Sequence, residues 1–518
     1  MSKSIKFFFA PFLLVGFIAI VWHRILFLTP IGEGGYLYFY YQNSYLKELG
    51  ASISRGQFSD FFRYDFGAFL FFGTLGPIFR DNFLLYQIII FFTLIILSTL
   101  FYFMVYELTG KKSAAFFGAS IFGLNYNSIY EMFAFGSYAN FFQRVFFLIL
   151  LFPSFILFLK FINTKKIYYY FVSLILLVLS ILLAHFNFFS VPFLWIYILC
   201  LILIKKMTFK KRALLFSMNL FYLMVAIFIL YIPLILNLVS WLNNKENILE
   251  FIVKNVNAIT VQFLRQLTLL SIPDFFIRQI LPFFNMSYSA GIIYNHGIQY
   301  LYLPVFLIYF LTLVFLFKRE KKLRPVIIAS LIFLPIVFTL NLYMRGEDTI
   351  SHLETGNRYA FIPSIGFATF WGIFLASIYD KSKIARITIY FLIVIWVSSQ
   401  VFSVNRKLNE ESVHNVATKK IMAYFKSTLH PKLKDDSIVF TPSLVGDWGS
   451  NYLNMFYGKK RTIFIPRMDP EIEWKTEGIR HSFKRSFDPK KDFIIYYDYN
   501  SKEVVDVTKN YKNIIINR

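Results

Sequence analysis

The chain repeats one pattern: runs of about 20 apolar residues separated by short charged turns. A run of that length crosses the hydrocarbon core of a bilayer as an α-helix. Lipid offers no partner to a backbone N–H or C=O, so such runs must close their hydrogen bonds internally. Eleven runs follow the pattern: 5–27, 84–106, 113–130, 141–162, 167–185, 188–204, 213–240, 298–317, 325–343, 359–379 and 387–404. Composition agrees: 57% of residues are hydrophobic and 16% charged, against about 25% charged in a soluble domain. The expected fold class is an α-helical polytopic membrane protein with about 11 transmembrane helices. Lys3 and Lys6 precede the first run as in a signal peptide. That run ends in Trp22-His23-Arg24 without a small-x-small cleavage site, so it is expected as a retained helix. The single cysteine, Cys200, excludes a disulfide framework.

Charge sets the expected orientation. A net charge of +24 on a soluble chain would point to nucleic acid. Here the cations cluster in alternate turns: Lys3 and Lys6, Lys111 and Lys112, Lys165 and Lys166, Lys205 to Arg212, Lys318 to Arg324, and Lys381 to Arg386. The intervening short loops 131–140 and 186–187 carry none. By the positive-inside bias the cation-rich side is cytoplasmic, and no nucleic-acid partner is expected. The protein is then a multi-pass component of the cell membrane, with its N-terminus cytoplasmic.

Two domains follow. Residues 1–404 form a multi-pass transmembrane domain with outer loops 28–83 and 241–297. Residues 405–518 form an extracytoplasmic α/β domain. In the second, Glu411–Ser427 reads as an amphipathic helix. Ser437–Phe440, Thr462–Ile465, Asp492–Tyr497 and Asn513–Asn517 read as short strands. Neither G-x-G-x-x-G nor a Walker A pattern occurs there, so no nucleotide is assigned. In the outer segment, Ile248–Val261 has helical periodicity. Phe263–Phe284, with Arg265, Asp274 and Arg278, reads as re-entrant or interfacial.

Polar groups at a bilayer edge are costly, which makes each a candidate. Glu33 leads, flanked by Gly32, Gly34 and Gly35, which let a ligand approach the backbone closely. Partial desolvation there raises a carboxyl toward the range of a general base. The plainer reading is an exposed acid at a helix end. Asp60, Arg63 and Asp65 either orient an acceptor, hold a divalent metal, or form a solvated turn with internal ion pairs. No His/Cys/Asp cluster has a firm metal-ligand spacing, which leaves the metal unassigned. Arg144 opens an apolar run, so it pairs with an acid such as Glu131 or meets a phosphate. His185 ends the fifth run as a structural group or a catalytic one. Arg345 and Arg358 bracket the loop before the tenth run; each matches phosphate oxygens with its planar donor fork, or snorkels to the interface.

Three features together resemble the GT-C superfamily of integral-membrane glycosyltransferases, in its protein O-mannosyltransferase-like branch. One is the layout: a single run, a large outer loop opening with Glu33, about ten further runs and an outer C-terminal domain. The second is Leu108-Thr109-Gly110-Lys111-Lys112-Ser113-Ala114-Ala115-Phe116-Phe117-Gly118, a tight turn followed by small residues. The third is Asn357-Arg358-Tyr359-Ala360-Phe361-Ile362-Pro363-Ser364-Ile365-Gly366-Phe367, similar to Arg-Tyr-x-x-x-Pro-Ser-x-Gly-Phe. Leu182–Phe186 also resembles the Leu-Ala-His segment of bacterial relatives.

The resemblance implies sugar transfer from a polyprenyl-phosphate donor to a glycan, lipid or protein acceptor at the outer face. Glu33 would be the base and the product would be inverted. Arg63, Arg144, Arg345 and Arg358 would face the leaving phosphate, and the Tyr36–Tyr45 face would stack on sugar or anchor the loop among lipid headgroups. The Trp-Trp-Asp motif of oligosaccharyltransferases is absent, so whole-glycan transfer to asparagine is not expected. Two other classes remain beside it: a surface-polysaccharide polymerase or ligase, and a transporter or non-catalytic membrane scaffold.

Overall fold

The computed structural model describes residues 3–28, 66–79, 82–133, 141, 145–205, 207–237, 248–273, 276–277, 298–345, 360–441, 463–465, 488 and 490–509. Eleven apolar helices correspond to the eleven runs. They are α1 (Lys3–Trp22), α3 (Phe83–Thr109), α4 (Lys112–Leu124), α6 (Leu148–Thr164), α7 (Ile167–Leu183), α8 (Val191–Ile204), α9 (Phe209–Asn237), α12 (Tyr302–Arg319), α13 (Arg324–Arg345), α14 (Ser364–Tyr379) and α15 (Lys383–Tyr424). Between them lie α2 (Phe66–Phe79), α5 (Tyr126–Phe133), α10 (Ile248–Lys254) and α11 (Val256–Ser271). Among the described residues, 7 helices are long and apolar enough to cross a membrane; α4, α6, α7 and α14 are shorter apolar helices. Large apolar side chains at helical spacing face outward, as Phe171, Ile175 and Leu179 do on α7 and Ile387, Phe391 and Val394 on α15. Outward apolar faces on long helices define a helical membrane protein.

The helices pack closest where side chains are smallest. A Cβ on Gly366 would stand 2.8 Å from the Ser330 carbonyl oxygen, so α14 presses on the backbone of α13. On its other side α14 meets α4 through Gly118 and Gly372. Without a hydrophobic force between helices in lipid, such close approach gains its stability from dispersion contacts. The Leu108–Gly118 segment and the described part of the other, Ala360–Phe367, therefore have a packing role. The first supplies Gly110, left-handed at φ 67, and then the small residues of α4; the second begins α14. Inside the bundle, Ser154 of α6 hydrogen-bonds the Ser173 carbonyl of α7 at 2.7 Å and the Tyr222 hydroxyl of α9 at 2.5 Å. These buried hydroxyls join three helices.

One end of the bundle gathers the basic turns. Lys111, between α3 and α4, pairs with Glu320 between α12 and α13 at 2.8 Å. Ser113 donates to Asp380, between α14 and α15, at 3.4 Å. The opposite end holds the small sheet. Its strands are β1 (Ile438–Phe440), β2 (Ile463–Ile465), β3 (Phe493–Asp498) and β4 (Glu503–Asp506), in the order β2-β1-β3-β4. β1 pairs in parallel with β2 and β3; β4 runs antiparallel to β3, with Tyr497 opposite Val504. All three residues of β1 are buried, as fits a central strand.

One sequence expectation changes in detail. The Glu411–Ser427 helix is not separate: α15 runs 42 residues without a break, so the 404/405 boundary lies inside a continuous helix. No Gly or Pro interrupts 403–411, and Arg24 donates at 2.9 Å to both Asn405 and Asn409, bracing the helix where it leaves the bundle. At 1.5 Å per residue α15 is about 63 Å long, about twice the hydrocarbon thickness. Its far half buries Ala417 and Ile421, and the π-helical turn that continues it buries Phe425, against Val439, Ile495 and Tyr497 of the sheet. Burial, and then the Asp506 carboxylate, push the Tyr424 hydroxyl above its ordinary range. Among the described residues the sheet includes β4, Glu503–Asp506, a strand not expected from the sequence, and Asn513–Asn517 lies outside the described residues.

Candidate active site

Glu33, Asp60, Arg63, Asp65, Arg144 and Arg358 lie outside the described residues. His185 opens a 3-10 turn, His185–Ser190, and Arg345 ends α13; the backbones of these two are described and their side chains are not. What the structure fixes is where each candidate segment joins the bundle. All of them join at the end that carries the sheet.

Glu33 follows Leu28 by five residues. The Leu28 carbonyl accepts from Gln87 Nε2 of α3 at 3.4 Å, and the Phe27 carbonyl accepts from Lys419 Nζ of α15 at 2.8 Å. Leu28, the last described residue before Glu33, thus sits between α3 and α15. Asp65 immediately precedes α2. Six residues on, the Phe71 ring meets Phe146 at 5.9 Å and Tyr86 at 6.4 Å. Phe146 is two residues past Arg144. The next carbonyl, Phe147, accepts from Ser180 Oγ at 3.1 Å. Ser180 in turn takes two hydrogen bonds from Asn187 Nδ2, at 3.2 Å to its carbonyl and 2.7 Å to its hydroxyl. That clamp shapes the turn holding His185, and the turn packs on α13, whose last residue is Arg345. Arg358 precedes Phe361 by three residues, and the Phe361 ring sits 5.4 Å from Phe122 of α4. Ser364 Oγ donates to the Phe361 carbonyl at 2.5 Å and starts α14.

A buried polar elbow beside these attachments was not legible as such in the sequence. The third run bends at Asn125, whose backbone is extended (φ −67, ψ 107) between α4 and α5. Asn125 Nδ2 donates to the Leu270 carbonyl at 2.9 Å, and Asn127 Nδ2 to those of Leu269 and Ile272 at 2.5 and 3.2 Å. These are the end carbonyls of α11, which lack helical partners of their own. The Tyr126 amide donates to Gln400 Oε1 of α15 at 2.8 Å. The elbow therefore ties α11 to α15 and the bundle. On α11, Gln262, Arg265, Gln266 and Thr268 are all buried, which gives the helix a polar inner face. The Asn-x-Asn pair inside an apolar run was the available signal.

Among the described residues no group of three His, Cys, Asp or Glu side chains could hold a metal ion. Asp60 and Asp65, weighed above for a divalent metal, are not among them. No protein-family model matches the chain, and no curated protein matches it.

Proposed function

We propose that the protein is a membrane glycosyltransferase of GT-C type, which moves a sugar from a polyprenyl-phosphate donor to an acceptor hydroxyl at the extracytoplasmic face. The observation that supports it is the convergence of flanks: the segments bearing Glu33, Asp65, Arg144, His185, Arg345 and Arg358 all join the sheet-bearing end, and several of their flanking residues touch. The basic turns gathered at the other end favour eleven spans with a cytoplasmic N-terminus and the sheet outside.

In this reading Glu33 takes the proton of the acceptor hydroxyl. The oxygen attacks the anomeric carbon, the carbon–oxygen bond to phosphate breaks, and the lipid phosphate departs with the electron pair. Attack opposite the leaving group inverts the anomeric centre. Arg63, Arg144, Arg345 and Arg358 supply positive charge for the leaving phosphate. Asp60, Asp65 and His185 orient the acceptor. The test is the purified protein reconstituted in liposomes with radiolabelled polyprenyl-phosphate sugars and cell-envelope acceptors. Labelled product of inverted configuration is expected; a panel of donors yielding no product overturns the reading.

A further inference from the structure

Where α1, α3 and α15 meet there is a groove of about 430 Å³. Its walls come from Leu26 to Leu28, from Asn82 to Leu84, and from Lys419, Met422 and Ala423 of α15 with Lys426 of the π-helical turn (Phe425–Leu429) that continues it. The last four fall at i, i+3, i+4 and i+7, a single helical stripe. The stripe turned to the sheet is a different one, through Ala417, Ile421 and Phe425.

The chemistry of the lining is uneven. Two ammonium groups stand on one wall, and no lining residue is acidic. Opposite them are apolar side chains that end or begin membrane-crossing helices, and Phe27 and Leu84 are exposed. Lys419 is steered there by the Phe27 carbonyl, which occupies one of three ammonium donors. A soluble anion needs the cations and has no use for the apolar wall. An amphiphile with a negative headgroup uses both, and the level where spans end is where lipid headgroups lie.

We propose that this groove holds the headgroup of an anionic phospholipid of the surrounding leaflet, with its phosphate toward Lys419 and Lys426 and its acyl chains along Phe27 and Leu84. The lipid fastens the outgoing half of α15 to the bilayer edge, next to Leu28, five residues before Glu33. The proposal rests on membrane embedding and is independent of the sugar-transfer reading.

The experiment is native mass spectrometry of the full-length protein in detergent, titrated with phosphatidylglycerol and, separately, with phosphatidylcholine. The wild type is expected to prefer the anionic lipid. Lys419→Gln with Lys426→Gln should weaken that binding by about thirtyfold, and the matching pair of Arg substitutions should retain it. Ala423→Trp fills the groove without touching charge and should block the lipid as well, which keeps the test decisive should the Gln pair misfold. Equal binding of the two lipids, or unchanged phosphatidylglycerol binding in both the Gln pair and Ala423→Trp, overturns the proposal. So does displacement by equimolar inorganic phosphate or polyprenyl phosphate, which would assign the groove to a free anion or to a carrier lipid. Sugar transfer is assayed separately, so its absence bears on the catalytic reading and leaves the lipid result intact.

Discussion

Gly372 lies so close to Gly118 that a Cβ on it would stand 2.7 Å from the Gly118 amide nitrogen, and equally 2.7 Å from the Ala114 carbonyl oxygen. Both are backbone atoms, which cannot swing aside as a side chain can. The contact sets the distance between α4 and α14, the elements that lead to the Asn125 elbow and away from the Arg358 segment.

Gly372→Ala should therefore destabilise the protein by about 1–3 kcal/mol, the usual range for overpacking. Gly16→Ala is the matched control, since a Cβ there meets nothing within 4 Å. Thermal unfolding in detergent separates them: a lower Tm for Gly372→Ala and an unchanged or higher Tm for Gly16→Ala. Equal shifts would refute the close approach of the two helices.

Lys111 and Glu320 join two turns 209 residues apart in sequence, and both side chains are partly buried. Replacing either by Ala should lower stability, and the double-mutant cycle should yield a coupling of about 1 kcal/mol. Additive losses would mean that the two turns do not meet.

The β3–β4 turn should weaken in acid. Asp498 accepts the amides of Asn500 and Ser501 at 3.0 and 3.2 Å. The Ser501 side chain, followed by these amides, holds its carboxyl below the ordinary aspartate value. A folded-state pKa lower than the unfolded one stabilises above the ordinary value, and that stability is lost as pH falls through the folded one. With the intrinsic pH dependence of amide exchange divided out, the Asn500 and Ser501 amides should be more protected at neutral pH than at acid pH, and Asp498→Asn should remove most of the difference. A turn equally protected at both pH values would contradict the assignment.

The helices were legible because lipid leaves an apolar run little choice but to coil, and all eleven runs contain one. What escaped the sequence depends on distant partners. The unbroken course of α15 is braced by Arg24, some 380 positions earlier in the chain. The elbow at Asn125 relies on carbonyls of α11. β4 reads Glu-Val-Val-Asp, too charged and short to stand out as a strand, and it forms because β3 offers an antiparallel edge. Lys419 and Lys426 belonged to a recognisable amphipathic stretch, but only the packing of α1 and α3 makes a groove of them.

Glu33 carries the central claim. It follows Leu28 by five residues, and the Leu28–Gln87 contact lies at the sheet-bearing end. The most direct measurement is the initial rate of sugar transfer from polyprenyl-phosphate donors by the reconstituted protein, compared with Glu33→Gln at equal helix content. Loss of a positioned base should lower the rate by about 10²–10⁴-fold. Transfer by Glu33→Gln at the wild-type rate would contradict the account.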